Sequence, residues 1–90
     1  MSRPLTKRQM LVLRGIASIT AARRYPPTVR ELGELLGIKS TNGVADHLRA
    51  LESRGLISRA DRVARSLLVT ADGRRVIKAQ LQAEIARVTP

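Results

Sequence analysis

The sequence contains no cysteine, tryptophan or phenylalanine, and Tyr25 is its single aromatic residue. Without cysteine there is neither a disulfide scaffold nor a thiolate metal site, and the lone His47 cannot form a histidine cluster. No metal, cofactor or redox chemistry is therefore expected. No apolar run approaches the ~20 residues of a membrane span, and the N-terminal MSRPLTKRQ lacks the apolar stretch of a secretory signal. These absences predict a cytoplasmic protein with no membrane partner. The scarcity of aromatic rings leaves the core to Leu, Ile, Val and Ala, which suits closely packed helices, and it removes the stacking platforms that hold single-stranded nucleic acid. Acidic residues are scarce as well. Seven Asp and Glu stand against 17 Lys and Arg, a net charge of +10 on 90 residues.

An excess of this size, most of it arginine, points to a polyanionic partner, because the planar guanidinium grips phosphate and guanine at two points. A ribosomal or membrane-surface role would also suit the charge. Without stacking residues, a duplex is favoured over a single strand. Ninety residues make one domain that buries a little over ~60% of its unfolded surface, too little for a deep catalytic cavity.

Taken in order, Leu5-Thr6-Lys7-Arg8-Gln9-Met10 reads as a helix start. Thr6 and Gln9 have capping-box spacing, and Leu5 and Met10 occupy the positions of a hydrophobic staple. This helix is expected to bury Val12, Leu13, Ile16, Ile19 and Thr20 and to fade near Ala22 to Arg24, before Pro26-Pro27. A second capping box, Thr28 with Glu31, opens a short helix expected to bury Val29, Leu32, Leu35 and Leu36 and to close at Gly37. Only Ile38 and Lys39 separate Gly37 from the next N-cap, Ser40, so two helices meet across a tight glycine-containing turn. This is the helix-turn-helix pattern.

In the third helix Val44, His47, Leu48 and Leu51 recur at helical spacing, and Gly55 stands where the helix should end in the left-handed conformation. The opposite face carries Asn42, Gly43, Ala45, Asp46 and Arg49, small or hydrogen-bonding groups near the helix N-terminus. Such a face suits a base-pair edge, since Asn can pair bidentately with adenine and Arg with guanine in the major groove. An ordinary solvated face has the same composition.

Residues 56–59 and 66–69 read as two short strands joined by a basic turn, whose Arg59, Arg62 and Arg65 suit either solubilising charge or a wing that grips the DNA backbone. Thr70 caps a last helix, roughly 71–88, with a stripe of Ile77, Leu81, Ile85 and Val88. Beside this stripe lie Val76, Ala79 and Ala83, and Gly73 weakens the first turn. The stripe can fold back on the first helix or pair with its copy in a homodimer. The expected fold class is mainly α (α+β): three helices, a two-stranded wing and an extra C-terminal helix. Residues 1–70 form the DNA-binding unit and 71–90 a possible dimerisation element.

With LTKRQ, then PPTVRELGELLGIKSTNGVADHLRALESRGLI, then a basic hairpin, the sequence resembles the N-terminal domain of the LexA repressor family from Leu5 to about Val69. The resemblance rests on Pro26-Pro27-Thr28, Leu36-Gly37, Ser40 and Asn42, His47-Leu48, Ala50-Leu51 and Gly55. It implies a winged helix-turn-helix repressor on a two-fold symmetric operator, with base contacts from Ser40, Asn42, Gly43, Ala45 and Asp46. Ala45 and Asp46 depart from the acidic pair usual in the family's bacterial members, so its operator sequence does not carry over. The basic wing also lacks the family's glycines. The family's self-cleaving serine–lysine domain is absent before Pro90, so self-cleavage is not expected of this chain.

Lys39, Thr41, Arg54, Arg59, Arg62 and Arg65 complete the expected contact set as backbone or wing cations and donors. No catalytic residue is expected: His47 lies seven residues from Ser40 on the apolar side of its helix, too far to form a triad with Ser40, Thr41 and Asp46. Two functions remain. One is a sequence-specific regulator that binds double-stranded DNA as a dimer on a palindromic operator. The other is a winged-helix module that binds a protein partner, such as a transcription factor or part of the replication or transcription machinery, with DNA contacts absent or merely nonspecific. The clustering of cations on the helix-turn-helix and wing favours the first.

Overall fold

Threonine opens the first two helices in the same way. The computed structural model describes residues 4–60, 63 and 65–88, with Thr41 described by its backbone alone. At the start of α1 (Lys7–Arg23) the Thr6 hydroxyl accepts from the Gln9 N–H at 3.1 Å, and the Gln9 side chain accepts from the Thr6 N–H at 3.1 Å. At the start of α2 (Val29–Leu36) Thr28 and Glu31 repeat the exchange at 3.0 and 2.9 Å. Each box satisfies two amides that a helix leaves without internal partners. Arg24, left-handed at φ 69°, ends α1 with its N–H on the Thr20 carbonyl, and the prolines that follow prevent continuation.

Gly37 closes α2 at φ 69°, with the Ile38 N–H donating to the Gly33 carbonyl at 2.9 Å. The chain then turns into α3 (Thr41–Ser53), whose first turn is capped by the Ser40 hydroxyl accepting from the Gly43 N–H at 3.2 Å. Gly55, at φ 72°, and a Leu56 N–H bond to the Leu51 carbonyl end α3. These three helices pack on one another around Val12, Leu13 and Ile16 of α1, Leu32 of α2, and Val44, Leu48 and Leu51 of α3. Gly33 lets α2 and α3 approach closely, for a Cβ there would stand 3.2 Å from Val44 Cγ2.

One expected core residue lies elsewhere. Leu35 is 52% exposed, and the inward stripe of α2 runs through Val29, Leu32, Gly33 and Leu36. In a helix of eight residues, Leu32 and Leu36 fix the buried face. Leu35, about 100° round from Leu36, falls beside it and lines a groove against α1.

The hairpin is shorter than its sequence pattern suggests: β1 (Ile57–Ser58) pairs antiparallel with β2 (Leu68–Val69), Ile57 opposite Val69 and Ser58 opposite Leu68. Its neck is closed by a side chain instead of further ladder bonds. The Ser66 hydroxyl accepts from the Ala60 N–H at 2.9 Å and lies within hydrogen-bond distance of the Ala60 and Val63 carbonyls. Leu56, Ile57 and Leu67 carry the hairpin into the helical core.

α4 (Ala71–Val88) starts against the same hairpin. The Thr70 hydroxyl accepts from the Gly73 N–H and donates to the Gly55 carbonyl, while the Thr70 N–H donates to the Leu56 carbonyl. Val76 and Ile77 pack against the core, and Arg14 of α1 reaches across to Gln80 at 3.0 Å and Glu84 at 3.1 Å. Leu81, Ile85 and Val88 are nevertheless exposed, so the stripe divides: its first turns fold back on the domain and its later apolar positions face outward. Among the described residues, no helix is long and apolar enough to cross a membrane.

Candidate nucleic-acid interface

α3 is held by one face and open on the other. Val44, Leu48 and Leu51 are at most 1% exposed, which fixes the rotation of the helix about its axis. That rotation leaves Asn42, Asp46 and Arg49 exposed, with Gly43 and Ala45 half-buried between them and the core. Gly43 and Ala45 leave the approach to the helix low, so a flat partner can reach the backbone. The first turn holds no acidic residue, so the positive end of the helix dipole is unneutralised where an anion would meet it.

Asp46 and Arg49, one turn apart, form an ion pair on this surface. The pair presents one acceptor and one cation side by side, with the guanidinium oriented by the carboxylate. Among the other expected contact residues, Lys39 is exposed in the turn before Ser40. The Thr41 side chain lies outside what is described. Arg54 is half-buried at the end of α3, at the far end from Asn42.

The hairpin arginines have separate placements. Arg59 lies 3.8 Å from Glu52, linking the hairpin to the last turns of α3. Arg62 falls outside the described residues. Arg65 does not project from the tip. Its guanidinium turns back onto α2, donating to Glu31 Oε1 at 2.7 Å and Oε2 at 3.2 Å and to the Pro26 carbonyl at 3.2 Å. It also lies 4.9 Å from the centroid of the Tyr25 ring. The Arg65 hydrogen bonds, followed by that from the Thr28 backbone N–H, lower the Glu31 pKa from its ordinary 4.5 to about 2. The same pair raises the pKa of Arg65 above its usual value. Sequence reasoning missed Glu31 as anything beyond a cap, because 34 residues separate it from Arg65 and no local pattern joins them.

No three His, Asp or Glu side chains gather into a metal-binding group among the described residues. On the side formed by α1, α2 and α4, an apolar groove of about 480 Å³ runs between Met10, Leu11, Ile19, Leu35 and Leu36. Among the described residues, none from α3 lines it.

The sequence that forms α1, α2, the tight turn, α3 and the first strand of the hairpin matches the family model described as the LexA DNA binding domain, over residues 2–66. The chain belongs to the LexA DNA-binding domain family. Its similarity extends to curated LexA repressors. That of Anaeromyxobacter dehalogenans strain 2CP-1 is 52% identical over 73 residues, covering 81% of this chain and 32% of the relative. That of Sorangium cellulosum is 54% identical over 63 residues, covering 70% and 27%. That of Bacillus subtilis strain 168 is 47% identical over 55 residues, covering 61% and 27%. The chain thus spans about a third or less of the length of these LexA relatives. The LexA family model ends before α4, whose 18 residues lie wholly beyond the matched span.

Proposed function

We propose that this chain reads double-stranded DNA as the binding domain of a transcriptional repressor, a binding function without catalysis carried out in the cytoplasm. The observation that carries the reading is the geometry of α3: its apolar side is locked in the core, while Asn42, Asp46 and Arg49 lie open beside an unneutralised helix N-terminus. A helix presented in this way enters the major groove with its N-terminal residues against base edges. Asn42 then reads a base, and Asp46 with Arg49 reads a neighbouring pair. Ser40, Gly43 and Ala45 set the close approach, while Lys39, Thr41, Arg59 and Arg62 meet phosphate. The LexA repressors among its relatives support a repressor role.

A single winged helix covers few base pairs, so the reading includes a homodimer on a palindromic operator, joined through the exposed end of α4. Selection of bound sites from a random DNA pool, with the stoichiometry of the complex, tests both parts. A palindromic consensus bound two to one supports them. Recovery of no preferred sequence overturns the base-reading role of α3.

The apolar groove between α1 and α2 favours a second reading in which a protein partner binds the side away from α3. Loss of partner binding with intact DNA binding on Leu35→Lys would separate the two functions.

A further inference from the structure

We propose that Arg65 is a positioning residue for DNA recognition, clamping the wing to the first turn of α2 through Glu31 and so fixing it relative to α3. The inference rests on the DNA-binding reading above. The hairpin has a ladder of only two residues on each strand, and a two-stranded hairpin of this length does not hold an orientation by itself. Its lower end is fixed by Leu56, Ile57 and Leu67 in the core and Arg59 lies 3.8 Å from Glu52, but Ala60 and Val63, the described residues further into the tip, are exposed and need a further anchor. Arg65, at the return of the tip, supplies one.

Both ends of the clamp are restrained. Glu31 is held as the third residue of a capping box, its Oε1 accepting from the Thr28 N–H at 2.9 Å while its Oε2 lies 3.5 Å from Arg23. Arg65 holds a left-handed backbone at φ 58°, a conformation a non-glycine residue keeps only where its surroundings enforce it. Its guanidinium meets carboxylate on one edge in a two-point fork, reaches the Pro26 carbonyl with the same terminal nitrogen, and faces the Tyr25 ring. A group engaged in this way acts on DNA through the hairpin it places. Because α2 packs directly on α3, tying the wing to α2 sets the angle between wing and reading helix.

The test is a double-mutant cycle in the full chain, using Glu31→Gln, Arg65→Gln and the double variant. Glutamine keeps the capping box, as Gln9 does in α1. Affinities for a duplex selected from a random pool and for a random duplex are measured across a salt series. Amide exchange at Ala60 and Val63 is followed in the free protein. Each single change should weaken selected-site binding roughly three- to tenfold, the double change no further, with the salt slope unaltered. Exchange at both amides should quicken. If Arg65→Gln instead lowers the slope by about 0.9 while Glu31→Gln leaves affinity intact, Arg65 touches phosphate and the clamp is overturned. Should Arg65→Gln fold poorly, Arg65→Lys keeps the charge without the fork and should reproduce the faster exchange. A wild-type chain without any preferred duplex would defeat the DNA reading alone, while unchanged exchange in Glu31→Gln would overturn the clamp itself.

Discussion

Gly73 sits against the Leu56 carbonyl so closely that a Cβ on it would overlap the oxygen, and would also stand 2.7 Å from Val69 Cγ1. The sequence presents this glycine as a weak point in the first turn of α4; in the structure it is the contact that lets α4 dock on the hairpin. Gly73→Ala should gain about 1 kcal/mol of helix propensity and lose about 3 kcal/mol to overlap with backbone that cannot turn aside. A net loss of about 2 kcal/mol corresponds to a fall in melting temperature on the order of 10 °C for a domain of this size. Thermal unfolding followed by circular dichroism measures it. A rise in melting temperature would mean that α4 can shift off the hairpin without penalty.

The pair of Arg65 with Glu31 gives the protein a specific acid sensitivity. The folded-state pKa of Glu31, about 2, lies below its ordinary 4.5, so its contribution to stability is complete above pH 4.5 and disappears as pH falls towards 2. Glu31→Gln removes that contribution while keeping the cap. Between pH 5 and pH 2 the melting temperature of the wild type should therefore fall further than that of the variant, the two curves converging at the acid end. Parallel curves across the window would show that the carboxylate gains nothing from the guanidinium on folding.

Local signals in the sequence account for most of the helical frame. Thr6 with Gln9, Thr28 with Glu31, Ser40, Gly37 and Gly55 each act through bonds within a few residues, so they are legible one at a time, and the structure has every one of them. The family was legible for the same reason, since its signature spans these caps and the Val44, Leu48 and Leu51 stripe between them. Leu35 reads as core because hydrophobicity stands in for burial in a helix too short to average the pattern, whereas its exposed position depends on where α1 lies. From sequence Arg65 suits either solubilising charge or a backbone-gripping wing, because its partners, Glu31, Pro26 and Tyr25, are distant in sequence. Gly73 likewise requires knowledge of where Leu56 falls after folding.

Asn42 tests the reading helix directly. It is exposed on the first turn of α3, outside the core, so its replacement leaves packing untouched. Asn42→Ala should cost about 1–3 kcal/mol on the preferred site and relax specificity at one base pair, with binding to random duplex nearly unchanged. Competition binding against single-base variants of the selected site shows which position relaxes. Equal affinity of wild type and variant for every sequence would remove Asn42 from the base contacts.

The end of α4 determines how two reading helices could be joined. Leu81, Ile85 and Val88 are 38%, 64% and 84% exposed, whereas Val76 and Ile77, earlier on the same helix, pack on the core. The Arg14 bonds to Gln80 and Glu84, on either side of Leu81, hold this part of the helix against α1. Changing Leu81 and Ile85 to Lys should therefore leave the fold intact, because neither side chain belongs to the buried core. If these residues form a dimer seam, two lysines bring charge into an interface that cannot solvate it. Sedimentation should then show a folded monomer, and affinity for a palindromic site should collapse while binding to an isolated half-site persists. Circular dichroism provides the control: a loss of helical content would place Leu81 and Ile85 in the stability of the domain itself. A variant that remains dimeric and fully active would move the dimer contact away from α4.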